Sequence, residues 1–183
     1  KTTEYKNKLG QVVLRKSQLD ANTWLETYYI YDIYGNLSAV LPPDAVSRMS
    51  TEFFEQSEQR KKDFLNTWAF LYSYDGRNRM IMKKVPGADS VFMVYDKWDR
   101  LVLTQDGNQR ANSEWLFTKY DALNRPILTG KMKSQRSTIG MRNLVSSQTV
   151  RFDTFNTSAT LQYAGLSFPT DSISEYLSVT YYD

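Results

Sequence analysis

The residues best placed to do chemistry are aspartates that recur. Asp32, Asp75, Asp96 and Asp121 each follow a tyrosine, and each has an asparagine or arginine four residues on. Clustered carboxylates can act as general acids and bases, or as ligands for hard cations. The 183 residues contain no histidine and no cysteine. That removes the commonest general base at neutral pH, imidazole metal ligands, thiolate nucleophiles and disulfides. There is no Gly-rich phosphate loop, nucleophile elbow or HExxH motif. Repetition itself argues against catalysis, because a catalytic acid need occur once and a structural one recurs with its unit. The expectation is a chain that is not an enzyme, with no metal and no cofactor.

The aspartates belong to a heptad. Tyr74-Asp75-Gly76-Arg77-Asn78-Arg79-Met80, Tyr95-Asp96-Lys97-Trp98-Asp99-Arg100-Leu101 and Tyr120-Asp121-Ala122-Leu123-Asn124-Arg125-Pro126 are clear copies. Tyr31-Asp32-Ile33-Tyr34-Gly35-Asn36-Leu37 is another. Lys6-Asn7-Lys8-Leu9-Gly10-Gln11-Val12 keeps the spacing without the Tyr or the Asp. Tyr182-Asp183 has the form of a further start. The clear copies begin 21 and 25 residues apart, the interval of a supersecondary unit.

The elements that must position these residues are strands. Apolar residues precede each Asp and resume after the sixth position, as in Phe92-Met93-Val94-Tyr95 and Leu101-Val102-Leu103. Between them lies a turn: Asp accepts from backbone N–H groups a few residues on, and Gly, Asn or Asp at the fifth position tolerates positive φ. Each copy is therefore expected to be one β-hairpin with a bulge. The sixth-position Arg is expected to fork onto its own Asp or a neighbouring one. Pro126 and the first copy depart from the pattern, and irregular pairing is expected there.

These heptads resemble the RHS/YD-repeat family of large bacterial surface and toxin-delivery proteins, related to the teneurin repeats. Tyr74-Asp75, Tyr95-Asp96 and Tyr120-Asp121, with Arg79, Arg100 and Arg125, carry the resemblance. The blocks Trp68-Ala69-Phe70 and Arg79-Met80-Ile81 add to it, and the match is weaker beyond residue 130. The resemblance implies a mainly β fold, a curved antiparallel sheet of consecutive YD-repeat β-hairpins spiralling into a hollow shell around a C-terminal cargo. It implies a structural scaffold, part of the shell of an exported or toxin-delivery protein, extracellular or at the cell surface. The partners implied are the remainder of a longer chain and its C-terminal cargo.

The whole chain, 1–183, is expected to be a single YD-repeat segment. Helical propensity interrupts it at about 44–66. There Leu41-Pro42-Pro43 stops a strand, Asp44 is expected to cap a short helix, and Thr51 to Asn66 carries Phe53, Phe54, Phe64 and Leu65. Residues 131–147 are rich in Lys, Ser and Arg and are expected to be an irregular loop. A strand is expected at Thr149–Phe155, a turn at Gly165–Pro169 and a strand at Leu177–Tyr181. Both ends lie in repeat-like sequence, so the chain is expected to be part of a longer one with open sheet edges. Those edges invite edge-to-edge association with a second copy.

With 41% hydrophobic and 14% aromatic residues the chain can build a core, and its aromatic content favours strands. A net charge of +3 shows no concentrated basic stripe, so no nucleic-acid partner is expected. No apolar run approaches the length of a membrane helix. The alternative function is a carbohydrate- or cell-surface-binding module using exposed aromatics. Trp24, Trp98 and Trp115 are the candidates, and Trp98, inside a turn, is the one expected to be exposed. Asp89-Ser90-Val91 and Asp171-Ser172-Ile173 fit a short O-glycosylation pattern. Asn36-Leu37-Ser38 is a formal N-glycosylation acceptor inside a repeat turn.

Overall fold

The structure, a computed structural model, describes residues 1–49, 53 and 55–182. It is mainly β, built of antiparallel hairpins that pair in chain order. The chain divides into two compact units, Lys1–Ser90 and Val91–Asp183.

In the first unit β1 (Thr2–Lys6), β2 (Val12–Gln18), β3 (Trp24–Tyr31) and β4 (Leu37–Leu41) form a meander. After β4 come α1 (Pro43–Ser47) and α2 (Glu58–Trp68), then β5 (Phe70–Tyr74) and β6 (Met80–Lys84). β5 pairs with both β4 and β6. The predicted helical insertion is thus two helices. Asp44 does not cap α1: the N-cap is Pro42, and Pro43 supplies a preset φ at the first helical position. Asp44 lies in the first turn and pairs with Arg48 at 3.2 Å. Ser57 is the N-cap of α2 and accepts from the Arg60 N–H. Phe64, Leu65 and Trp68 pack on Leu41, Ala45 and Ala69. Phe53 meets Phe64 edge-on at 4.8 Å. Thr51, Phe54 and Asp183 lie outside the described residues.

In the second unit β7 (Val91–Tyr95), β8 (Leu101–Gln105), α3 (Gly107–Ala111), β9 (Glu114–Tyr120) and β10 (Pro126–Lys133) follow in order. The helix α4 (Thr138–Ser146) and β11 (Ile173–Val179) complete it, β11 pairing with β10. β9 alternates cleanly, with Trp115, Phe117 and Lys119 buried on one face. Met141 and Val145 of α4 close over Val94, Leu103, Trp115 and Phe117. Gly130 admits the Phe117 ring and the Glu175 carbonyl, which a Cβ would meet at 2.6 and 2.3 Å.

Three expectations fail here. The stretch 131–147 is not an irregular loop: it extends β10 to Lys133 and then forms α4, capped by Ser137. Met141, Leu144 and Val145 have helical spacing and pack on the core, whereas Ile139 is 68% exposed. Thr149–Phe155 forms no strand, only the single bridge Phe155↔Tyr163. The last strand starts at Ile173 rather than Leu177.

Candidate functional site

The five heptads fold alike. In each, the first and seventh residues pair: Lys6↔Val12, Tyr31↔Leu37, Tyr74↔Met80, Tyr95↔Leu101 and Tyr120↔Pro126. The register then skips one residue on the second strand in every case. Pro126 therefore does not disturb the pattern, because it occupies the same place as Met80 or Leu101. The fifth residue is left-handed throughout, at φ 80° for Gly10, 84° for Gly35, 58° for Asn78, 65° for Asp99 and 62° for Asn124.

The second residue holds the turn. One oxygen of Asp75 accepts from the N–H groups of Arg77 and Arg79, and the other from Arg79 Nε at 2.8 Å. Asp96 and Asp121 repeat this with Arg100 and Arg125 at 2.8 and 2.6 Å. The Asp96–Arg100 pair is the most enclosed, with side chains 6% and 10% exposed. In the first copy Asn7 stands in for the aspartate. It accepts from Leu9 and Gln11 N–H and donates its amide to Gln11 Oε1 at 2.8 Å. Burial opposes ionisation of Asp75 and Asp121. The facing Arg79 and Arg125, with the turn amides, outweigh it and hold both carboxyls below the ordinary value. Asp75, Asp96 and Asp121 are thus fully engaged in making turns and holding their arginines.

Within each unit the copies are also tied to one another. The Tyr31 hydroxyl donates to the Val12 carbonyl at 3.0 Å, Tyr120 to Leu101 at 2.7 Å and Tyr182 to Pro126 at 3.0 Å. In every case the tyrosine of one copy meets the seventh residue of the copy before. Tyr182 therefore behaves as the first residue of a sixth copy. The preceding arginine lies against the same ring: Arg100 is 4.9 Å from the centre of Tyr120, and Arg125 is 4.1 Å from that of Tyr182. The sixth residue also reaches the next turn's fifth residue, as Gln11 to Gly35, Asn36 to Asn78 and Arg100 to Asn124.

Trp98 is half-buried rather than exposed. Its ring has Lys97 at 4.9 Å and Arg100 at 5.4 Å. It lines a recess of about 20 Å³ with Arg100, Tyr120 and Lys119, room for a water but not a sugar. Trp24 is the exposed one, at 38%, and Trp115 is fully buried. Ser172 is exposed, whereas Ser90 and Asn36 are half-buried.

Sequence reasoning missed a buried ion pair. Lys119 and Asp153 are fully enclosed at 3.4 Å. Lys119 Nζ donates to the Ser167 carbonyl at 2.8 Å, and Asp153 accepts the Ser167 hydroxyl at 2.7 Å and the Leu166 N–H. Burial pushes the Lys119 ammonium pKa down, and Asp153 partly restores it. The signal was a lysine in the inward phase of Trp115 and Phe117. Its partner lies in an irregular segment with no pattern to announce it. Among the described residues no group of three or more acids is arranged to hold a metal ion. No helix among them is long and apolar enough to cross a membrane.

No protein-family model matches the sequence, and no curated protein is significantly similar to it. Solved structures are. The crystal structure of TcdB2-TccC3-TEV matches over 75% of this chain at 17% identity, with a TM-score of 0.51. A mutated Tc holotoxin pore of Photorhabdus luminescens matches with the same values. The likeness is one of fold. This chain spans 6% of the length of each of those chains.

Proposed function

We propose that the chain is a structural segment of an encapsulating wall in a larger exported or toxin-delivery protein, with no chemistry of its own. One observation carries the reading: each heptad uses its polar residues to close its own turn, and within each unit those residues also grip the next copy. Repeating units of this kind bury their faces only when stacked, and their natural product is an extended sheet. The fold likeness to Tc toxin chains and the resemblance of the heptads to RHS/YD repeats both support it. The partners under this reading are the rest of a longer chain and the cargo it encloses.

The absence of cysteine permits a clean test. Thr27 and Tyr28 are adjacent on β3 and point to opposite faces of the sheet. Single Thr27→Cys and Tyr28→Cys variants, placed in the longer polypeptide, are labelled with a bulky maleimide. An enclosing wall protects one site and exposes the other, and both react in urea. Equal reactivity of the two sites in the folded polypeptide defeats the enclosing role.

A further inference from the structure

The five turns differ in one respect that the fold does not require. The second and sixth residues balance each other's charge in four copies. Asn7 with Gln11 is neutral against neutral, and Asp75–Arg79, Asp96–Arg100 and Asp121–Arg125 are anion against guanidinium. In the second copy Asp32 faces Asn36, an anion against an amide. Asp32 accepts from the N–H groups of Tyr34 and Asn36 at 2.9 Å and from Asn36 Nδ2 at 3.1 Å, with no cation in the set.

The missing guanidinium leaves space. A notch of about 300 Å³ opens at this turn, lined by Asp32, Tyr34, Asn36, Tyr74, Asp75, Gly76 and Asn78. In the later copies the corresponding place is taken by arginine, bonded to the turn carboxylate and lying against the next copy's tyrosine. Tyr74 is the next copy's tyrosine here. It is not among the three whose hydroxyls bond to the preceding copy. The charge of Asp32 reaches it: burial first, then Tyr72, then Asp32 push its hydroxyl pKa up. At Tyr120, by contrast, Arg100 pulls the hydroxyl down against the effect of burial. Burial opposes the charged form of Asp32, but the turn amides outweigh it, so the carboxylate is ionised at neutral pH. Tyr34, which lines the notch, is 77% exposed and offers an apolar shoulder for an aliphatic stem.

We infer that this notch is a docking site for an arginine side chain presented by another polypeptide. The guanidinium would take the place held by Arg100 and Arg125 in their own copies, forked onto Asp32 and facing Tyr74. A planar fork suits this geometry where a point charge does not, so lysine is a poorer ligand.

The test uses N-acetyl-arginine amide and its citrulline analogue, a near-isosteric neutral probe, titrated while backbone amide shifts are recorded. Saturable shifts are expected at Tyr34–Asn36 and Gly76–Asn78 with the arginine probe, and none with citrulline. Asp32→Asn keeps the turn, because Asn7 makes the same two backbone bonds in the first copy. It is expected to weaken binding at least about tenfold, the loss of a charge-assisted bond. Asn36→Arg fills the notch from within. It is expected to abolish probe binding while raising the melting temperature. Equal shifts with citrulline, or arginine binding that survives Asn36→Arg, overturn the assignment.

Discussion

The two units use one turn but bury their sheets differently. In Val91–Asp183, eight buried residues form one cluster beneath α4, with Trp115, Phe117 and Met141 at most 1% exposed. In Lys1–Ser90 the cluster under α1 and α2 has Leu41, Ala45 and Ala69 as its buried members, and larger side chains surround it half-exposed. A groove of about 640 Å³ remains beside it, lined by Val13, Tyr28, Ile30 and Leu65 among others. The turns do not follow this division. In Lys1–Ser90 the first two heptad turns close with an amide at the sixth position and the third closes with Arg79 on Asp75, as both heptad turns of Val91–Asp183 close with Arg on Asp. Hairpin geometry is thus local and survives either kind of core.

The largest effect that separates the units should come from the buried pair. Lys119→Met leaves Asp153 enclosed without its cation and should cost about 3–5 kcal/mol in chemical denaturation. Combining it with Asp153→Leu should recover much of that loss, since a well-packed apolar pair replaces the ions. If Lys119→Met melts like the parent chain, the second unit owes nothing to this pair. Next come the turns. Arg100→Met breaks an enclosed charge-assisted contact and should cost about 1.5–3 kcal/mol, against about 1 kcal/mol for Gln11→Ala in the neutral first turn. Equal costs would erase the distinction between charged and neutral turns.

The smallest effect is titration. The folded carboxyls of Asp75 and Asp121 titrate below the ordinary aspartate range. The unfolded chain therefore binds more protons in that range, and stability rises with pH. Their contribution is complete above about pH 4 and is lost as pH falls through the lower folded values. Asn7 cannot titrate. Acid melts of Asp75→Asn and Asp121→Asn should show a shallower decline than the parent, and a parallel decline would remove these carboxylates from the account.

The turns were legible because their constraint is local. Positive φ at Gly10, Gly35, Asn78, Asp99 and Asn124 and the acceptor at the second position are properties of seven consecutive residues. The bond from Tyr120 to Leu101 was not legible as such, though the fixed spacing between copies that produces it was. Reading 131–147 as a loop followed its polar composition and passed over Met141, Leu144 and Val145 at helical spacing. Reading Asp44 as a cap gave weight to a residue type and not to the prolines before it, which had already set the helix start. Trp98 looked exposed because it sits in a turn, but Lys97 and Arg100 flank its ring. The Lys119–Asp153 pair joins a strand to an irregular segment, and only tertiary structure brings them together. The mismatch of Asp32 with Asn36 was visible in the sequence. It acquired meaning only once the other copies showed where an arginine sits.

The bonds from Tyr31, Tyr120 and Tyr182 back to the preceding seventh residue give the sheet a direction of growth. A hairpin newly released by the ribosome has its own turn closed, but its arginine lacks the ring that should lie against it. That ring belongs to the next tyrosine, which emerges only after the intervening strand has been synthesised. At Arg100 and Arg125 a copy is therefore completed by its successor, so this part of the sheet matures from its N-terminal end at the pace of translation. At any moment during synthesis, one unfinished turn marks the advancing front.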